Sequence, residues 1–164
     1  MAVQQLDPRH VLSDQGESYD VLGNIITIKA TADDTGGAYS LFDARVPSGV
    51  GSPPHFQKLE EESFYVLEGE FTFTIGDETV VLGPGGYAMV PRNTPHAFMS
   101  TGEGMGRMLI MTTPGGYHEN FFREAGEPVE DPANPPAPAG PPDFDKLMAA
   151  ANKWGVDILP PPAE

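Results

Sequence analysis

The segment Phe71-Thr72-Phe73-Thr74-Ile75 alternates apolar and polar side chains with a period of two, the signature of a strand buried on one face. Glycine bounds it on both sides. Gly69-Glu70 precedes it, and Gly76-Asp77 follows as a hairpin signal from which Thr79-Val80-Val81-Leu82 returns. The rhythm continues through the turn Gly83-Pro84-Gly85-Gly86 to Tyr87–Pro91, Ala97–Ser100 and Arg107–Met111. Upstream, Ile25–Ala30 and Tyr39–Val46 read as strands around a turn cluster at Ala32–Gly37, and Pro47–Pro54 breaks the chain before His55. Short strands at this spacing predict an all-β fold, a small antiparallel sandwich or barrel. The 19 glycines and 18 prolines suit such a fold and disfavour a helical bundle.

With 164 residues the chain is expected to form one domain with an appendage. Residues 1–20 read as a polar arm or a first edge segment, residues 21–115 as the barrel, and residues 116–164 as a tail. Within the tail, Tyr117–Ala125 sets Phe121, Phe122 and Ala125 on one helical stripe, with Gly126 as its stop. Residues 126–142 read as a proline-rich connector. Asp143 caps a second helix, in which Phe144, Leu147, Met148 and Ala151 share a side. The tail is expected to pack on the barrel or on a partner subunit.

Twenty-four acidic against nine basic residues give a formal charge of −15. Such a surface repels phosphate backbones and anionic headgroups, so neither nucleic acid nor membrane is an expected partner. There is no cysteine, which rules out disulfides, thiolate ligands and a cysteine nucleophile. The first twenty residues have neither the basic start nor the apolar core of a signal peptide, and a cytoplasmic location is the expectation.

Chemistry concentrates around two turns. His55 and Gln57 lie two apart on an extended segment and so share a face. Glu62 opens the next strand, on a face with Phe64 and Val66. His96 follows the turn Pro91–Pro95, on a face with Phe98 and Ser100. Two imidazoles and a carboxylate are the donor set of the facial triad that leaves positions open on non-haem iron. Two surface histidines beside an acid-rich turn are the alternative. Glu60 and Glu61 read as a solvated loop. Phe42, Phe56, Phe64, Phe73, Phe98 and Met111 are candidates to line a pocket for a flat substrate, with plain barrel core as the other assignment.

Gly49, His55, Gln57, Glu62 and Gly69 fall on the positions of one motif, and Gly85, Pro91, Asn93, His96 and Ser100 on those of a second. By these motifs the chain resembles the cupin superfamily, with Gln57 at a usual histidine, Asn93 at a usual glycine and Ser100 at a usual asparagine. FYVLEGEFTF, VPRNTPHAF and the tail words YHENFFREAGEP and KWGVDILPPP look most like single-domain cupins grouped with quercetin dioxygenases, over about residues 37–160. The resemblance implies a jelly-roll-like barrel, a homodimer, and a divalent transition metal in the barrel mouth, Fe(II) first and nickel or manganese next. Its ligands would be His55, Glu62 and His96, with Gln57 as a weak fourth ligand or as a hydrogen-bond donor beside them. It also implies an oxygenase that uses O2 on a phenolic, flavonoid or polyketide-like molecule, with Glu62 as a catalytic base as well. A redox-neutral isomerase, lyase or cyclase, and a non-catalytic binder, are the alternatives. His10 and His118 match no motif position and are not expected to be ligands.

Overall fold

Period-two alternation becomes two facing antiparallel sheets in the computed structural model, which describes residues 5–161. In chain order the elements are β1 (Ser18–Val21), β2 (Asn24–Ala30), α1 (Ala32–Thr35), β3 (Ser40–Val46), β4 (His55–Gln57) and β5 (Glu61–Glu68). There follow β6 (Phe71–Ile75), β7 (Glu78–Leu82), β8 (Tyr87–Val90), β9 (His96–Ser100) and β10 (Gly106–Thr113). The tail adds α2 (Tyr117–Ala125), β11 (Glu127–Pro128), α3 (Phe144–Trp154) and β12 (Val156–Ile158). The larger sheet has the order β11-β1-β2-β3-β10-β5-β8, the smaller β12-β4-β9-β6-β7. No helix among the described residues is long and apolar enough to cross a membrane.

The inner faces meet in an apolar core. Phe42, Ala44 and Val46 come from β3, Phe64 and Val66 from β5, Phe71 and Phe73 from β6, and Met108 and Ile110 from β10. Phe64, Phe73 and Phe98 form a triangle with ring centroids 5.1 to 6.2 Å apart. Each such ring buried contributes about 1.5–3 kcal/mol relative to exposure. This packing sets the spacing of the sheets just below the site.

Three features differ from the sequence expectations. Ala32–Thr35 is one turn of helix rather than a plain turn, because Thr31 and Asp34 form a capping box. Asp34 N donates to Thr31 Oγ1 at 3.3 Å, and Thr31 N to Asp34 Oδ2 at 2.9 Å. In α3 the buried residues are Leu147, Ala150 and Ala151, while Phe144 is 62% exposed. The expected and buried faces overlap at Leu147 and Ala151, and packing against α2 buries Ala150 in place of Phe144 and Met148. Finally, the chain after α3 is not merely a terminus. Gly155 (φ 78°) turns it into β12, which pairs with β4 in the register Val156↔Gln57 and Ile158↔His55. Lys58 N also donates to Gly155 O at 2.9 Å, and Leu159 N to Pro54 O at 2.8 Å.

Candidate metal centre

The site is built across the gap between the sheets. Glu62 stands on β5 of the larger sheet, with Phe64 and Val66 below it on the same inner face. His55 and Gln57 on β4, and His96 on β9, face it from the smaller sheet, with His55 directly opposite His96 in register. All four side chains are buried. Ser52–His55 is brought to β9 by a close approach at Gly51, where a Cβ would stand 2.0 Å from Phe98 O. At the other end of β9 the turn passes through Asn93 at φ 63°, a left-handed conformation that asparagine tolerates better than most side chains. Its N–H donates to Gln57 O at 2.7 Å.

One donor atom from each of His55, Glu62 and His96 lies within 4.8 Å of the others. His96 Nε2 is 2.8 Å from Glu62 Oε2, and His55 Nε2 is 3.8 Å from it. The far nitrogens decide the tautomers. His55 Nδ1 is 2.8 Å from Pro53 O and His96 Nδ1 is 2.8 Å from Thr94 O. A carbonyl only accepts, so both Nδ1 atoms carry hydrogen and donate. When neutral, each ring then turns an Nε2 lone pair toward the Glu62 carboxylate. Acceptors that converge in this way require a cation or a proton among them, and two imidazoles with a carboxylate match the donors of divalent transition metals. The residues fit such an ion.

Gln57 Nε2 donates to Glu62 Oε2 at 2.6 Å and lies 3.4 Å from His55 Nε2. It stands as a hydrogen-bond donor beside the donor set. Burial on its own pushes the Glu62 carboxyl up. The adjacent His55 and His96 and the charge of His118 outweigh burial, holding the carboxyl well below the usual range.

Beside the cluster lies a cavity of about 60 Å³ whose walls are mostly aliphatic and aromatic, with His55, Glu62 and His118 at its polar end. Of the six pocket candidates, Phe98 lines it. Phe42, Phe64 and Phe73 are core. Phe56 and Met111 are half-buried on the outer faces of β4 and β10, where strand alternation turns them away from His55, Gln57, Met108 and Ile110. The remaining walls come from the β1–β2 hairpin, through Val21 and Leu22, and from the tail, through Phe121, Phe122, Leu147 and Val156.

Two residues set aside at the sequence level belong here. Glu60 is not solvated: it is 1% exposed, and its Oε1 accepts from His118 Nδ1 at 2.7 Å. His118, also buried, turns Nε2 toward Glu62 Oε1 at 3.9 Å. Burial pushes His118 down, but the charge and hydrogen bond of Glu60 and the charge of Glu62 raise it overall. A helix 58 residues downstream supplies the partner, and no local pattern announces such a contact. The one available signal was a histidine two places into an otherwise amphipathic stripe.

Residues 42–112 match the Cupin domain family. The quercetin 2,3-dioxygenase of Bacillus subtilis is 28% identical over 137 residues, covering 82% of this chain and 39% of that protein. The enzyme of the same name from Aspergillus japonicus is 31% identical over 99 residues, 56% of this chain and 28% of that one. The chain thus spans less than half the length of these two curated relatives. Among solved structures, KdgF from Halomonas sp. superposes with a TM-score of 0.62 at 18% identity, covering 69% of this chain and 99% of that one. Sheet order, motif positions and these likenesses agree: residues 42–112 form a cupin domain, and the described fold is that of cupins.

Proposed function

We propose that the chain is a metal-dependent cupin oxygenase acting on a small phenolic, flavonoid or polyketide-like compound. One observation carries the reading: two imidazoles with fixed tautomers aim their Nε2 atoms at one buried carboxylate at the mouth of an apolar cavity. His55, Glu62 and His96 would hold the ion. Fe(II) is favoured, with nickel or manganese as substitutes. When bound, the ion supplies Lewis acidity and, if iron, one-electron chemistry toward O2. The relatives named quercetin 2,3-dioxygenase support the reaction class.

The protein's part is to shape and dry the site. The apolar walls align a flat ring and exclude water. Gln57 keeps one lone pair of Glu62 occupied and so orients the carboxylate. As a base, Glu62 would take a hydroxyl proton from the substrate on the oxygen that Gln57 leaves free. Sites for drug-sized ligands measure roughly 300–1,000 Å³. At about 60 Å³ the cavity is much smaller than that, so a flavonoid-sized substrate requires the tail to shift.

The test is metal content by elemental analysis of wild type and His96→Ala, purified without a tag, followed by oxygen uptake with phenolic substrates. The reading expects about one transition ion per wild-type chain, lost in the variant, and oxygen uptake by the loaded wild type. No metal after anaerobic loading with iron, nickel and manganese would sink it. Metal without oxygen uptake would transfer the same ligands to redox-neutral chemistry.

A further inference from the structure

His118 is the second residue of α2, buried at the polar end of the cavity beside Glu62. Its two nitrogens are differently engaged. Nδ1 donates to Glu60 Oε1 at 2.7 Å, which fixes the ring. Nε2 is turned toward Glu62 Oε1 but stands 3.9 Å from it, too long for a hydrogen bond. Phe122 meets the ring edge-on at 4.6 Å and Phe121 lies 5.3 Å away, so packing holds this pose as well.

The Glu62 carboxylate has two sides. Its Oε2 lies 2.8 Å from His96 Nε2 and 3.8 Å from His55 Nε2, and accepts from Gln57 Nε2 at 2.6 Å. That oxygen faces the candidate metal position. Oε1 is left facing the tail, with His118 Nε2 across the gap of 3.9 Å. A polar contact of that length calls for a third group between the two. An oxygen about 2.8 Å from both atoms would sit at ordinary hydrogen-bond distances. It must also suit a carboxylate oxygen, which only accepts. A hydroxyl both donates and accepts, so it serves Oε1 and can meet Nε2 with or without a ring hydrogen. An ether or carbonyl oxygen has nothing to give Oε1.

The walls beyond this gap are apolar, among them Val21, Phe98, Ile110 and Leu147. An apolar pocket with a few convergent polar atoms takes an apolar body and orients it by one polar group. Helix α2 supplies Phe121 and Phe122 to the same wall, so the segment that shifts to admit a substrate also carries His118. We infer that His118 is a substrate-binding residue, its Nε2 and Glu62 Oε1 together gripping one hydroxyl of an aromatic substrate. The site then selects a ring that bears a free hydroxyl over the same ring without it. The inference rests on the function proposed above and names the substrate group that this site recognises.

The experiment uses the full chain incubated with Zn(II), which is redox-inert. Calorimetry measures the binding of phenol and of toluene, its isostere without the hydroxyl, and elemental analysis reads zinc on the same samples. Wild type is expected to favour phenol. His118→Phe, which keeps an aromatic ring but neither nitrogen, should lower the phenol-to-toluene affinity ratio at least about tenfold, with zinc content as in wild type. An unchanged ratio would overturn the inference, even if both ligands bound more weakly, since that is the mark of a packing role alone. Failure of phenol to bind wild type would overturn it too. Should His118→Phe fail to fold, nitrogen NMR of wild type labelled at histidine decides: phenol should shift the His118 Nε2 resonance much further than toluene does, and equal shifts would overturn the contact. Wild type without zinc would sink the metal reading, an outcome separate from the ratio and the nitrogen shift, which still decide the hydroxyl contact.

Discussion

Glu119 shows how much one buried carboxylate holds in place. Its Oε2 accepts from Ala32 N at 2.9 Å and from Ser40 Oγ at 2.6 Å, tying α2 to α1 and β3. Glu119→Ala leaves both donors without an acceptor and is expected to cost about 3 kcal/mol, read as a lower urea midpoint. Glu119→Gln keeps an acceptor and should cost about 1 kcal/mol. Asp34 is the pH-sensitive counterpart. Burial pushes its carboxyl up, but hydrogen bonds from Thr31 and the charge of Arg9 outweigh it and lower it overall. A carboxylate held low in the folded state stabilises fully at neutral pH, and that contribution is lost as pH falls through the lowered value. Asp34→Asn should therefore be less stable than wild type at pH 7, and the gap should close in acid when both are melted in urea across pH. His55, Glu62 and His96 were legible because each lies at a fixed offset from a turn. Glu60 and His118 were not, since their burial depends on a contact between segments far apart in sequence.

Strands announced themselves wherever one face met the core and the other met solvent, as in β6 and β10. β12 did not: it has three residues, and its pairing follows from where α3 delivers the chain rather than from any alternation. The same limit applies to α3, where Leu147 and Ala151 are buried as expected but Phe144 and Met148 are exposed, because the sequence fits two overlapping faces. Leu147 lies on the buried stripe and on the cavity wall. Leu147→Ala is expected to cost about 2 kcal/mol, the low end for core leucine because the enlarged void joins space already present. A thermal or urea melt reads it. Stopping the chain after Gly155 removes β12 and exposes the edge of β4 that carries His55 and Gln57. That variant should retain less metal after dialysis against chelator than wild type while keeping the β-sheet circular dichroism signal.

Across the whole molecule the dominant electrostatic fact is a formal charge of −15 on one small domain. Several of the few cations are already committed, Arg107 to Asp43, Arg92 to Glu61 and Arg123 to Glu17. The remaining acids repel one another, and salt screens that repulsion within about 10 Å at 0.1 M. The melting temperature should accordingly rise as sodium chloride goes from about 10 mM to about 500 mM, whereas a molecule held mainly by surface ion pairs would melt lower. The placement of β12 and α2 also has a consequence in time. Protein synthesis releases the chain from its N-terminus, so the two motifs emerge and can begin to fold while the segment that closes over them is still unmade. The strand that flanks His55 and the helices that wall the cavity arrive last. Until residue 158 has cleared the ribosome, a nascent chain can hold His55, Glu62 and His96 only in a site still open on the side where tail and barrel will meet.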